Sequence, residues 1–216
     1  MNAQTNENEI AVIVGGGPGV SASCARRFSR AGMRVVVAAR NPDKPALVEL
    51  EAECGIIRRS CDATSAESVA ALFDSVEREL GTPQLVVHNI DGRFAEIFRK
   101  DITEADPAHV AQVFQNSALS AFLVGQHAAR CMLRRDIPEG GQRGTILYTN
   151  ASAAIKGFPR SAAFAMACHA KKGLAQSMAR ELGPKGIHVA QVPILSLIHI
   201  SEPTRPPSTS RMPSSA

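Results

Sequence analysis

Residues 10–24 read IAVIVGGGPGVSASC: five apolar residues from Ile10 to Val14, a glycine-rich turn from Gly15 to Gly19, then small residues with Val20 and Cys24 at helical spacing. An unbroken apolar run of this length matches a strand buried on both faces, as in a parallel sheet covered by helices. Glycines let the backbone reverse tightly and approach a ligand closely. A helix starting immediately afterwards presents unpaired amides and the positive end of its dipole to a phosphate. Strand, glycine turn and helix in this order point to a nucleotide pyrophosphate, with Gly15, Gly17, Gly19 and Val20 as the contact positions. A glycine turn that merely joins strand to helix is the competing reading.

The rest of the chain repeats the alternation. Short apolar runs predict strands at Ile10–Val14, Arg34–Ala38, Ile56–Cys61, Leu85–His88, Thr145–Tyr148 and Ile187–Val192, with helical stretches between them. Helix signals are Val20, Cys24, Phe28 and Ala31 before Gly32, and a capping box of Thr64 and Glu67 ahead of Val69, Phe73, Val76 and Leu80. Asp106 and Pro107 open a long helix to about Leu133, and another runs from Ser161 to Leu182. The predicted fold class is α/β, a Rossmann-type doubly wound parallel sheet in one domain over residues 1–194.

Composition narrows the function. The 24 basic and 20 acidic residues are interspersed without a basic block, so no nucleic-acid or membrane footprint is expected. No apolar run approaches the ~20 residues of a membrane span. Five widely spaced cysteines with no CxxC pair argue against a disulfide framework and against a metal site, which fits a reducing cytoplasm. Beyond Ile194 the chain turns to LSLIHISEPTRPPSTSRMPSSA, whose prolines and serines predict a disordered tail over 195–216. Leu195–Arg205 resembles the in-frame translation of a sequencing-library adapter joined to a broken gene; a natural Pro/Ser-rich extension is the alternative.

The second predicted strand ends in Ala38, Ala39, Arg40 and Asn41, where a cofactor without a 2′-phosphate would meet an acidic residue on its ribose. Ala39 removes that repulsion and Arg40 offers a charge-assisted fork, so NADP is expected over NAD; a merely solvated arginine is the other reading. Asp62, after the third strand, is placed to accept from an adenine amino group or to cap the next helix. His88 is read as a satisfied core histidine, with a pocket-facing position as the alternative.

VGGGPGVS, Asp62, LVVHNIDG, FQNSALSAFLVGQHAARCM and SMARELGPKGIHVAQV together resemble the short-chain dehydrogenase/reductase family over Ile10–Ile194. The resemblance implies an NAD(P) cofactor held in part by Asn89, hydride transfer between it and a carbonyl or hydroxyl substrate, and homo-oligomers formed through the two long helices. It also implies a seventh strand, which is expected to be missing after the sixth. The family uses an asparagine, a serine, a tyrosine and a lysine in catalysis. Asn116 matches, whereas Ala151 stands at the serine, Phe164 at the tyrosine and Cys168 at the lysine.

Hydride delivery to a carbonyl leaves an alkoxide that needs a proton, and Phe164 has none to give. The loss of that acid removes a factor of roughly 10² to 10⁴ in rate. The remaining candidates are Tyr148, expected in the core, and Lys171, expected to face solvent or a dimer partner unless it reaches back toward position 168. Three functions therefore stay open: a divergent NADP-dependent oxidoreductase, a nucleotide-binding pseudoenzyme, and a truncated fragment without function.

Overall fold

The computed structural model describes residues 9–138 and 140–194. Six parallel strands form one sheet in the order β3-β2-β1-β4-β5-β6. They are β1 (Ile10–Val14), β2 (Arg34–Ala39), β3 (Ile57–Ser60), β4 (Leu85–His88), β5 (Gly144–Ala151) and β6 (Ile187–Ile194). The connecting helices are α1 (Val20–Arg30), α2 (Pro45–Cys54), α3 (Ala66–Glu79), α4 (Pro107–Phe114), α5 (Ser120–Leu133) and α6 (Ala162–Leu182).

Strand alternation explains the two cores. Ala11 and Ile13 of β1 face Ala22 and Ala25 of α1 and Leu47 and Leu50 of α2. Ile10, Val12 and Val14 face the opposite layer, with Phe73 of α3, Val124 of α5 and Ala175 of α6. A third cluster joins Val113 of α4 to Phe164, Ala167 and Cys168 of α6 at the carboxyl end of the sheet.

Several details differ from the sequence reading. The strands β5 and β6 run on to Ala151 and Ile194, paired with each other at their last residues. The helix α2 was not anticipated, although Pro45 at its first turn and Gly55 in left-handed conformation at its end are ordinary boundary signals. The expected cap at Thr64 moves by one residue: the Ser65 side chain accepts from Ser68 N, and Glu67 closes no reciprocal box in the bonds described. Asp106 does cap α4, accepting from Ala108 N at 2.8 Å. The helix it opens is interrupted by a π-helical turn at Gln115–Leu119, which hydrophobic spacing cannot reveal because apolar positions continue on both sides.

The sheet's first edge is β3, where Arg58 pairs with Asp43 and Glu51 and Arg59 with Glu79, a charged rim that discourages edge pairing. At the other end β6 is the last strand among the described residues, with Val192 and Ile194 exposed. The tail expected over 195–216 lies outside the described residues.

Candidate functional site

The chain reverses direction around the sheet between β1 and β4, and there the loops after the two strands part to leave a cleft, as in other doubly wound sheets. Gly15 and Gly16 N both donate to Ala38 O, at 3.0 and 2.9 Å. Gly15 has φ +103°, and a Cβ there would lie 2.3 Å from Asn89 O, so only glycine fits. By contrast, a Cβ at Gly17 or Gly19 would meet nothing within 4 Å. Gly19 caps α1 without a side-chain hydrogen bond and no acidic residue occupies the first turn of that helix. The amides at its start are thus open to an anion, with Val20 as its first residue.

Ser21, two residues beyond Gly19, is buried. Its hydroxyl donates to Gly15 O at 2.7 Å and accepts from Asn89 Nδ2 at 2.6 Å. Thr149 Oγ1 in turn donates to Asn89 Oδ1 at 2.7 Å. A single polar chain therefore ties β5, β4 and α1 to the glycine turn.

The cleft encloses about 860 Å³ and includes Gly15, Arg40, Lys44, Asp62, Asn89 and Asn116 among its walls. Lys44, which the sequence reading passed over, places Nζ on Gly16 O. Its signal was only a second cation four residues after Arg40. Asp62 Oδ1 accepts from Thr64 N at 3.0 Å and from Thr64 Oγ1 at 2.8 Å, and these bonds hold the carboxyl below its ordinary range. Asp62 thus orders the turn before α3 rather than capping the helix.

A second pocket of about 420 Å³ lies beyond the first, at the carboxyl ends of β4 and β5 and against α6. Asn89, Ile90, Asp91 and Arg93 border both spaces. Ala151, Phe164 and Cys168 line the second pocket together, whereas Asn116 sits in the π-helical turn and faces the first. Asn116 Nδ2 approaches Gly92 O at 3.5 Å. Gly92 holds φ +83°, and a Cβ on it would come within 2.7 Å of Ser117 Cβ.

Lys171 overturns the expectation of a solvated or dimer-facing side chain. It is 2% exposed and lines the second pocket. Its Nζ donates to Ile90 O at 2.9 Å and Thr149 O at 3.3 Å, and burial lowers its pKa to about 8. The aliphatic stem and backward lean of a helical lysine carry the ammonium from α6 to the ends of β4 and β5. Burial pushes the Cys168 thiol up to about 11, leaving it a poor nucleophile.

Arg93 also escaped the sequence reading. Its guanidinium forks onto Asp91, with contacts of 2.9 and 2.6 Å to Oδ2, and lies 4.5 Å from the centre of the Phe164 ring. Tyr148 is core as expected, its hydroxyl directed to Met178 Sδ at 3.2 Å and its pKa raised by burial. His88 is buried in the core, with Nε2 2.9 Å from Ser120 Oγ. Burial lowers its pKa well below the ordinary value and keeps it neutral. Its Nδ1 has no hydrogen-bond partner among the described residues, so the expected core position is right but full satisfaction is not.

Among the described residues no group of three His, Cys, Asp or Glu side chains is placed to hold a metal, and no helix is long and apolar enough to cross a membrane.

The sequence model of the enoyl-(acyl carrier protein) reductase family matches residues 16–194. The crystal structure of a short-chain dehydrogenase from Rhodopseudomonas palustris superposes with a TM-score of 0.70 at 32% identity, covering 84% of this chain and 82% of that one. The chain belongs to the short-chain dehydrogenase/reductase family. Among curated relatives, momilactone A synthase of Oryza sativa subsp. japonica is 32% identical over 184 residues, 84% of this chain and 64% of its own length. Short chain aldehyde dehydrogenase 1 of Euphorbia lathyris is 30% identical over 185 residues, 85% of this chain and 62% of its own length. The chain thus spans less than two thirds of both curated relatives.

Proposed function

We propose that this chain is an NADP(H)-binding oxidoreductase that transfers hydride between the nicotinamide and a small carbonyl or hydroxyl compound. The observation that carries the reading is the continuity of the two spaces through Asn89, Ile90, Asp91 and Arg93. The open amides of α1 would hold the phosphates of a dinucleotide, Arg40 and Lys44 would hold its adenosine end, and its other end would then lie toward the second pocket. The residues fit such a group: a Cβ at Gly17 or Gly19 projects into empty space, and no carboxylate follows β2 before Asp43. Arg40 and Lys44 favour a 2′-phosphate. When bound, the cofactor supplies the hydride.

The residues of the chain supply position more than proton transfer. Asn89 holds the floor between the spaces, Asn116 faces the cofactor cleft, and Phe164, Ala151 and Ile194 give the second pocket apolar walls. Phe164 and Ala151 carry no dissociable proton, which favours a second reading in which nucleotide is bound with little or no turnover. Exposed Leu119, Phe122 and Leu133 at or on α5 and Met166 on α6 support self-association through the two long helices. The five free thiols support a reducing, cytoplasmic setting.

Fluorescence titration with NADPH and NADH tests the nucleotide reading. We expect NADPH to bind at least several-fold more tightly; equal dissociation constants would remove the NADP assignment, and absence of binding to either would remove both readings.

A further inference from the structure

We propose that Lys171 is a covalent capture site in the second pocket, taking small aldehydes as Schiff bases on Nζ. The inference shares a pocket with the proposed function but needs no nucleotide.

Three geometric observations carry it. Lys171 lines a pocket large enough for a small organic molecule, between Phe164, Ala151 and Cys168. Among the described residues its Nζ has two hydrogen-bond partners, both backbone carbonyls, and no carboxylate pairs with it. A neutral amine has two N–H groups and one lone pair. The carbonyls of Ile90 and Thr149 take the two N–H groups, so the lone pair is directed away from them.

The charged and titratable surroundings are few. Cys168 lies on the same helix, His88 on β4, and Asp91 and Arg93 in the segment after β4, with Arg93 committed to Asp91. From the other elements packed on α6, β5 brings Tyr148, turned to Met178, β6 brings His188, which is exposed, and α4 brings His109, packed on Phe94. Burial is the largest influence and favours the neutral amine, lowering its pKa from 10.5 to about 8. At pH 8 about half of such an amine is neutral, against about 0.3% at the ordinary value, a difference on the order of 150-fold in reactive fraction.

The step balances without an oxidant. The Nζ lone pair forms a C–N bond to the carbonyl carbon while the carbonyl π pair moves to oxygen. Nitrogen loses a proton and oxygen gains one, giving the neutral carbinolamine. That oxygen then takes a second proton and leaves as water, and loss of the remaining N–H proton leaves the neutral imine. Cys168 competes poorly, since burial keeps its thiol protonated up to about 11.

The test uses the full chain, butanal as the probe and sodium borohydride as the trapping reductant, with no nucleotide present. Peptide mass mapping reads butylation at Lys171 against Lys44, Lys100, Lys156, Lys172 and Lys185 in the same molecule. We expect Lys171 to label at least tenfold faster than the mean of the others at pH 8, with an apparent pKa for its labelling near 8. Lys171→Arg, which keeps a cation but cannot form the imine, should lose that fast adduct while its circular dichroism spectrum is retained. Labelling at Lys171 equal to or slower than the other lysines would overturn the proposal, whether or not the variant folds, because the mapping is done on the unaltered protein. NADPH affinity measured in parallel separates this outcome from failure of the nucleotide reading.

Discussion

Asn89 donates through Nδ2 to Ser21 Oγ at 2.6 Å, and this bond joins the end of β4 to the first turn of α1 across the glycine turn. Ser21 passes the connection on to Gly15 O at 2.7 Å. Ser21→Ala should therefore leave the half-buried Asn89 amide short of a partner and destabilise the fold by about 1 kcal/mol. Urea denaturation of the two proteins measures the difference, and an unchanged midpoint would show that Asn89 finds another acceptor.

Two glycines of the same turn should respond oppositely. Gly15→Ala forces a Cβ to within 2.3 Å of Asn89 O at φ +103°, and should destabilise by more than about 2 kcal/mol. Gly17→Ala meets no atom within 4 Å and should leave the melting temperature within a degree or two, yet weaken nucleotide binding by filling space over the α1 amides. Thermal melts with and without NADPH distinguish the two effects.

The architecture was readable because strand, turn and helix each carry local signals: the apolar run Ile10–Val14, the glycines after it, and Pro107 and Gly183 at helix ends. The candidate site was readable only where it lies in the chain's own motifs. Ala151, Phe164 and Cys168 could be placed by spacing, and they do line one pocket. Arg93 and Lys44 could not, and Lys171 only as an alternative to a solvated lysine, because each reaches the site through a long side chain whose path depends on tertiary packing. The π-helical turn that carries Asn116 was hidden for a related reason: one added residue in a helix changes its facing without changing its composition.

Charge at the mouth of the first cleft should set nucleotide choice. Arg40→Asp removes a cation and introduces a carboxylate suited to a ribose diol, so it should invert the preference from NADPH to NADH. Lys44→Ala should weaken NADPH binding without strengthening NADH. A charge-assisted contact of about 1.5–3 kcal/mol corresponds to roughly 10- to 150-fold in Kd. Titration of both nucleotides against the three proteins checks each ratio.

Stability should rise with pH through the Lys171 titration. Its folded pKa of about 8 lies below the ordinary 10.5, so between these values the unfolded chain holds the extra proton and each step up in pH favours the folded state. The gain is on the order of 3 kcal/mol, complete above about pH 10.5 and absent below about pH 8. Lys171→Met keeps the aliphatic stem and removes the ammonium. It should abolish this slope and be more stable than the parent at pH 7. Urea midpoints across pH 7–10.5 measure both slopes, and parallel curves for the two proteins would show that Lys171 is charged in the fold throughout.

Catalysis is where the family pattern and the local chemistry part. Phe164, Ala151 and Cys168 line the second pocket, and if they stand for the proton donor, the polarising hydroxyl and the tuning cation, as the family resemblance implies, carbonyl reduction should sit near background. Phe164→Tyr alone should recover little. The nearest cation over that ring, Arg93 at 4.5 Å, is already balanced by its fork onto Asp91, and an untuned phenol titrates near 10. Adding Ala151→Ser and Cys168→Lys restores the three groups, but the new ammonium would share the second pocket with Lys171, and two buried cations at that range oppose each other. The restoring set therefore needs Lys171→Leu as a fourth change, and its members should act non-additively, as parts of one catalytic unit do. Single-turnover oxidation of NADPH over a panel of small carbonyls measures the outcome in every variant. Turnover in the four-fold variant, absent from each subset, would establish that the scaffold still orients hydride and carbonyl. Robust turnover by the unaltered chain that disappears in Lys171→Ala would instead assign proton delivery to Lys171.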